Sequence, residues 1–308
     1  MKLIAQLPKV FSQSSKFADL SLVAVSLCAI LTSTGADAAT PLTSDLWSQM
    51  GVSAILLGGG RGHVTDASAA DSNPAGIALQ KTYTVGGEMG WTGQKSRQAE
   101  AAACDSTTSE LAACFKFRQT QAVTGAKDRR FTLGLAEELS QAGGLILGLA
   151  GDYVQYAEDR APDAILPPAS KTGQRLRLGA IYKISEGLFL GGSSDGLYDT
   201  TDTARAHGVG FSLQGGRYFV FNGDFNFAAD ALSEMVAGMT IFPRDFLDLA
   251  LSYGYDPRSS QHNIAAGLVV KSQQARLLYS VVRSNALPSK WIQRVGIGFF
   301  MAGDAGAR

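Results

Sequence analysis

Between Tyr83 and Met301 the chain carries twelve segments of about ten residues in which every second side chain is apolar. A period of two held over that length specifies a strand with two unlike faces, and a long series of such strands specifies a closed antiparallel sheet. In Phe219-Val220-Phe221-Asn222-Gly223-Asp224-Phe225-Asn226-Phe227 the four Phe share one face, and Asn222, Asp224 and Asn226 share the other. Tyr83, Val85, Met89 and Trp91 alternate with Thr82, Thr84 and Glu88. Leu176, Leu178 and Tyr182 alternate with Arg175, Arg177 and Lys183, and Val295, Ile297, Phe299 and Met301 with Arg294, Gly296 and Gly298. One face suits lipid and the other water.

The beginning of the chain fits export. Lys2, Lys9 and Lys16 form a cationic region, Leu20 to Leu31 an apolar core, and Ala36-Asp37-Ala38 a small-x-small cleavage site, so residues 1–38 read as a signal peptide. That apolar core is shorter than the roughly twenty residues a spanning helix requires. Cys28 follows Leu27 rather than a small residue, which argues against lipidation. Beyond residue 38 no run of eighteen apolar residues occurs, so an inner-membrane helical protein is excluded. The 27 basic and 27 acidic side chains balance, which gives no pull toward nucleic acid.

Alternation places strands near 82–92, 130–138, 145–156, 174–184, 188–198, 208–215, 217–229, 233–242, 245–255, 262–271, 275–284 and 291–301. Most connections then alternate between short turns, such as Gly215-Gly216 and Pro243-Arg244, and longer links at 93–129, 157–173, 199–207, 256–261 and 285–290. Short turns belong on the periplasmic side, so both termini are expected there, in an outer-membrane barrel spanning 82–308. The rival is a soluble all-β sandwich or lipocalin-like barrel, which has the same period. Strand length, the export signal and the alternating links favour the membrane. Cys104 and Cys114 both fall within 93–129, and in an oxidising compartment a pair so close is expected to form a disulfide, here in the largest extracellular loop.

Residues 39–81 break the alternation. They contain Gly58-Gly59-Gly60-Arg61-Gly62-His63, then Asp66-Ala67-Ser68-Ala69-Ala70-Asp71, then Asn73-Pro74-Ala75-Gly76-Ile77-Ala78 immediately before the first strand. This order resembles the FadL-like superfamily of outer-membrane proteins, which includes fatty acid and aromatic hydrocarbon transporters and PorV-like secretion-associated barrels. The resemblance implies that 39–81 folds into the lumen as a hatch, with Asn73, Pro74, Ala75 and Gly76 as its turn and Gly58, Gly59, Gly60, Arg61 and His63 as its lead. Turn chemistry agrees, because Pro74 fixes φ, Asn73 can bond neighbouring backbone and Gly76 permits a reversal. A plain capping turn into the first strand fits the same residues. Fatty acid transporters of that family have fourteen strands, so either a further hairpin lies within 93–129 or the chain is a smaller relative.

Other chemistries find little support. None of His63, His207 and His262 stands in the His-x-Ser arrangement of an outer-membrane phospholipase, and Asp256 with His262 reads more simply as loop residues than as a protease rim pair. Gly58 to Gly62 lacks the Lys-Ser/Thr of a phosphate loop. No enzyme activity and no cofactor or metal are expected. Glu88, Asp152, Arg175, Arg177, Asp224, Asp248 and Arg294 are expected to line the lumen, as pore residues or as cross-strand pairs. The expected function is passive passage of a small hydrophobic molecule across the outer membrane. The alternative is a structural or secretion-associated barrel that binds a protein partner.

Overall fold

The computed structural model describes residues 60–92, 96–122, 126–139, 144–157, 170–200, 206–228, 231–285 and 291–302. The expected signal peptide and the hatch lead through Gly59 lie outside the described residues. A helix α1 (Asp66–Ser72) and a 3-10 turn (Pro74–Ala78) precede fourteen strands. These are β1 (Thr82–Thr92), β2 (Arg97–Asp105), β3 (Ala112–Gln121), β4 (Lys127–Glu138), β5 (Leu145–Ala157), β6 (Ser170–Ser185) and β7 (Leu188–Asp199). They continue as β8 (Ala206–Gly215), β9 (Phe219–Ala228), β10 (Ala231–Arg244), β11 (Leu247–Asp256), β12 (Gln261–Lys271), β13 (Ala275–Ser284) and β14 (Trp291–Ala302).

Every strand pairs antiparallel with its sequence neighbours, and β1 closes the barrel on β14 from Thr82 opposite Ala302 to Thr92 opposite Ile292. Closure leaves no unpaired edge, which the lipid interior demands. The register turns the sequence alternation into two surfaces. Met89 is 63% exposed and Phe299 54%, whereas Arg177 is 2% exposed and Asp224 3%. Apolar side chains outside and charged ones inside invert the order of a water-soluble protein and identify lipid as the surrounding solvent.

The thirteenth and fourteenth strands, β2 and β3, form a hairpin within 93–129, where alternation alone leaves one long link. β2 presents Ala99, Ala101 and Ala103 outward, so its lipid face carries little hydrophobic contrast, and its Glu and Gln add helix-like composition. The hairpin corrects the position of the cysteines. Cys104 and Cys114 are directly opposed on β2 and β3, disulfide-bonded and buried, not in a loop at the far end of the barrel. They lie at the end shared with Thr82 and Ala302, because Tyr83 pairs with Asp105 one residue away.

Candidate functional site

The Asn73-Pro74 motif lies inside the barrel, against the inner faces of β3 to β6. Asn73 is fully buried and ends α1, its N–H donating to the Ala69 carbonyl at 3.0 Å. Its side-chain amide donates to the carbonyls of Arg61 at 2.7 Å and Ala180 at 3.0 Å, while Oδ1 accepts from Ala75 N–H at 3.2 Å. One side chain thus starts the 3-10 turn, holds the preceding segment and anchors both to β6. Pro74 suits this place because the first N–H of a helical turn needs no partner.

The wall is shaped to receive the turn. A Cβ on Gly148 would fall on the Pro74-Ala75 peptide, and one on Gly179 on Asn73 Oδ1 and, at 2.7 Å, on Pro74 Cδ. A Cβ on Gly191 would strike the Arg61 carbonyl. Gly148 and Gly179 are opposite each other on β5 and β6, so register gathers glycines that are far apart in sequence into a floor for the inner segment. Around it Val64, Ala69, Ala70, Ala75, Ile77 and Ala78 share one apolar cluster with Cys104, Cys114, Ile146, Ile181 and Phe189.

Charges fasten the same segment. Asp71, in the last turn of α1, meets Lys116 Nζ at 2.5 Å and the Arg118 guanidinium, both inward on β3. Glu100 on β2 pairs with the same two cations, at 2.5 Å to Lys116 and 3.2 Å to Arg118. Two carboxylates against two cations make a neutral quartet, with one member on the inner segment. Arg177 donates to the Ala70 carbonyl near the C-terminus of α1 and pairs with Asp152 at 3.1 Å and Asp195 at 2.5 Å. Cations near a helix C-terminus complement its exposed carbonyls. Burial by itself would raise the Asp71 carboxyl, but Arg118, Lys116 and Arg177 outweigh it and hold the group well below the usual carboxylate range.

The lead is fastened elsewhere. Asp224 on β9 accepts from Gly60 N–H at 2.7 Å and Arg61 N–H at 3.3 Å, and Arg61 Nε donates to Ser193 Oγ at 2.9 Å. His63 sits 5.1 Å from the Phe189 ring and within 2.7 Å of Gln214 Nε2. Burial lowers its pKa from 6.5 to about 4. The neutral imidazole is therefore the form that docks, and its contribution is complete above pH 6.5 and lost as pH falls toward 4. Conductance of the reconstituted protein should rise over that interval, and His63→Phe should flatten the response; an equal pH response in the variant would assign it to another group.

Of the remaining inward charges, Arg175 lies 3.7 Å from Asp195 and 3.6 Å from Asp199. Glu88 and Arg294 face the lumen on β1 and β14, and Glu88 is directly opposite Glu100. Asp248 pairs with Lys271 at 2.7 Å, beside the turn between β10 and β11, apart from the quartet. Asp256 caps the turn after β11, accepting from Arg258 N–H at 2.8 Å, while His262 lies on the outer face within 2.6 Å of the Tyr253 hydroxyl. Asp71, Glu100, Lys116, Arg118 and Asp195 are the site residues that reading by motif passes over. Lys116 and Arg118 alternate with Phe115 and Phe117, a signal visible once β3 is known to be a strand.

A groove of about 670 Å³ opens where β9 meets β10. Phe211, Phe221, Phe225, Ala237, Tyr253 and Tyr255 line it from the outer face, and Gly223 supplies no side chain to fill it. Its lining also includes Val236 and Asp224, on the inner face.

No family model matches the chain, and no curated protein sequence matches it. Among solved structures it is similar to the toluene transporter TodX of Pseudomonas putida, with TM-score 0.57 and 11% identity over 81% of this chain and 96% of that one. The CymD monoaromatic hydrocarbon channel gives 0.55 and 9% over 76% and 92%. A Pseudomonas aeruginosa FadL homologue gives 0.52 and 10% over 80% and 96%. These likenesses show the fold, a closed antiparallel β-barrel shared with these three proteins.

Proposed function

We propose that this FadL-like barrel passes a small hydrophobic molecule across the outer membrane, with residues 39–81 as a hatch and both termini in the periplasm. The observation that carries the reading is the groove at β9 and β10. It is apolar where it faces lipid, and its lining includes Asp224 of β9, whose carboxylate on the lumen side of the wall binds Gly60 and Arg61. A hydrophobic solute loses little by resting there, since aromatic walls replace lipid as its surroundings. The solved neighbours include a toluene transporter and a monoaromatic hydrocarbon channel, which supports the same solute class.

The test is uptake of labelled toluene and of a long-chain fatty acid by cells producing the full chain, against cells without it. Faster entry of either supports the reading, and unchanged entry of both, at verified surface levels, overturns it. Gly223→Phe should cut uptake several-fold while leaving the barrel folded. A Cβ there already meets the Phe211 ring at 2.6 Å, so a larger group fills the groove from the lipid side. Undiminished uptake in that variant would move the route away from β9 and β10.

A further inference from the structure

The outer surface is electrically lopsided. Call the barrel end opposite Thr82 and Ala302 the far end. Among the described strand residues, the outward-facing Arg and Lys at the far end are Arg97, Lys127, Arg129 and Arg283. All four fall in one sector, from β13 through β14 and β1 to β4. The outward carboxylates of the described strands, Asp105 and Glu137, lie in the same sector but at the other end. Outward positions at the far ends of β8, β9, β11 and β12 carry His207, Phe227, Tyr255 and His262 instead.

Register sets the four cations along one rim of this sector. Arg97 lies opposite Trp91 on one side and Gln121 on the other, and Gln121 lies opposite Lys127. Arg129 donates to Gln119 Oε1 at 3.2 Å, and the Arg283 guanidinium is 5.5 Å from the centre of the Trp291 ring. Below this rim the wall is apolar and shallow in the middle. Ala99, Ala101 and Ala103 form a furrow about 20 Å long with Arg97, at the usual rise of a strand. Val85 and Met89 border it on β1, and Phe115 and Phe117 on β3. Interfacial Trp, basic headgroup contacts and an apolar trough in line are complementary to a lipid with several acyl chains and more than one phosphate.

We infer that the outer face from β13 to β4 binds one molecule of the phosphorylated glycolipid of the outer leaflet, a lipopolysaccharide. Its lipid A phosphates meet Arg97, Lys127, Arg129 and Arg283, and an acyl chain lies along the alanine furrow. The inference rests on the far end facing outward, as proposed above. It adds to the solute path a separate lipid site, on the sector away from the β9 and β10 groove.

The test uses the full chain extracted in mild detergent, with bound lipopolysaccharide counted by native mass spectrometry and by phosphate assay. The expected result is one molecule per barrel, displaced by high salt. In the triple variant Arg97→Gln, Lys127→Gln, Arg129→Gln affinity should fall about a hundredfold, since each basic group near a headgroup contributes about fivefold. Arg258→Gln, in the turn after β11, should change nothing. Heat-modifiable migration of each variant reports whether the barrel has folded. Equal retention by the folded triple variant, or equal binding of phosphatidylglycerol vesicles, overturns the inference. Labelling of a tag placed within 158–169 on intact cells tests the orientation separately, so that its failure is distinguishable from failure of the lipid site.

Discussion

Asp71→Ala should release the inner segment and destabilise its docking by about 3 to 5 kcal/mol, the range for removing one partner of a buried ion pair. The quartet explains the size. Glu100 alone would then face both Lys116 and Arg118, which are 4% and 6% exposed at their side chains. A buried cation without its partner cannot recover its hydration, so the loss exceeds the net worth of the pair. The readouts are higher conductance in planar bilayers and faster proteolysis within 60–78, both relative to wild type. Adding Lys116→Met to Asp71→Leu should recover most of the loss, because Arg118 and Glu100 remain as a matched pair at 3.2 Å. If the single variant conducts and resists protease as wild type does, the quartet does not hold the segment. Acid should not imitate the variant. Because the docked Asp71 pKa is depressed, its contribution is full above its unfolded value near pH 4 and is lost only as pH falls well below that.

The period of two made the barrel legible from residues alone wherever the outward face is strongly apolar. In β9 the Phe residues and in β14 Val295 to Met301 state both the strand and its orientation. The signal fails in β2, where lipid meets Ala99, Ala101 and Ala103, and the omission conceals half the site. Lys116 and Arg118 then fall in a supposed loop, so nothing identifies them as partners for Asp71. The Asn73 to Gly76 turn is legible because Pro and Asn act on their own neighbours in the chain. Which wall receives it is not, because Gly148 and Gly179 become adjacent only through the β5 and β6 register. The cysteines are close enough in sequence to pair, yet their barrel end depends on the same hairpin, which alternation leaves as one of two alternatives. Local chemistry is written in consecutive residues, whereas the seat for the inner segment is written in cross-strand register.

That register carries the other large expectation. Gly179→Val should expel the Asn73-Pro74 turn from its seat while leaving the barrel closed. A Cβ at Gly179 coincides with Asn73 Oδ1 and lies 2.7 Å from Pro74 Cδ, and the added methyls have no gap to enter because both residues are buried. Overpacking of this kind ordinarily costs about 1 to 3 kcal/mol. The displaced Asn73 would also forfeit its bonds to Ala180 and Arg61, each worth about 1 kcal/mol. Strand β6 itself loses little, since valine is a favourable strand residue and its backbone pairing with Gly148 is untouched. Disruption should therefore fall on the inner segment. Deletion of residues 40–78 provides the upper limit: Gly179→Val should approach the conductance of that deletion, with heat-modifiable migration retained. Wild-type conductance in both forms would show that the segment does not limit passage, and a barrel that fails to fold only with Gly179→Val would make the glycine a requirement of the wall rather than of the seat.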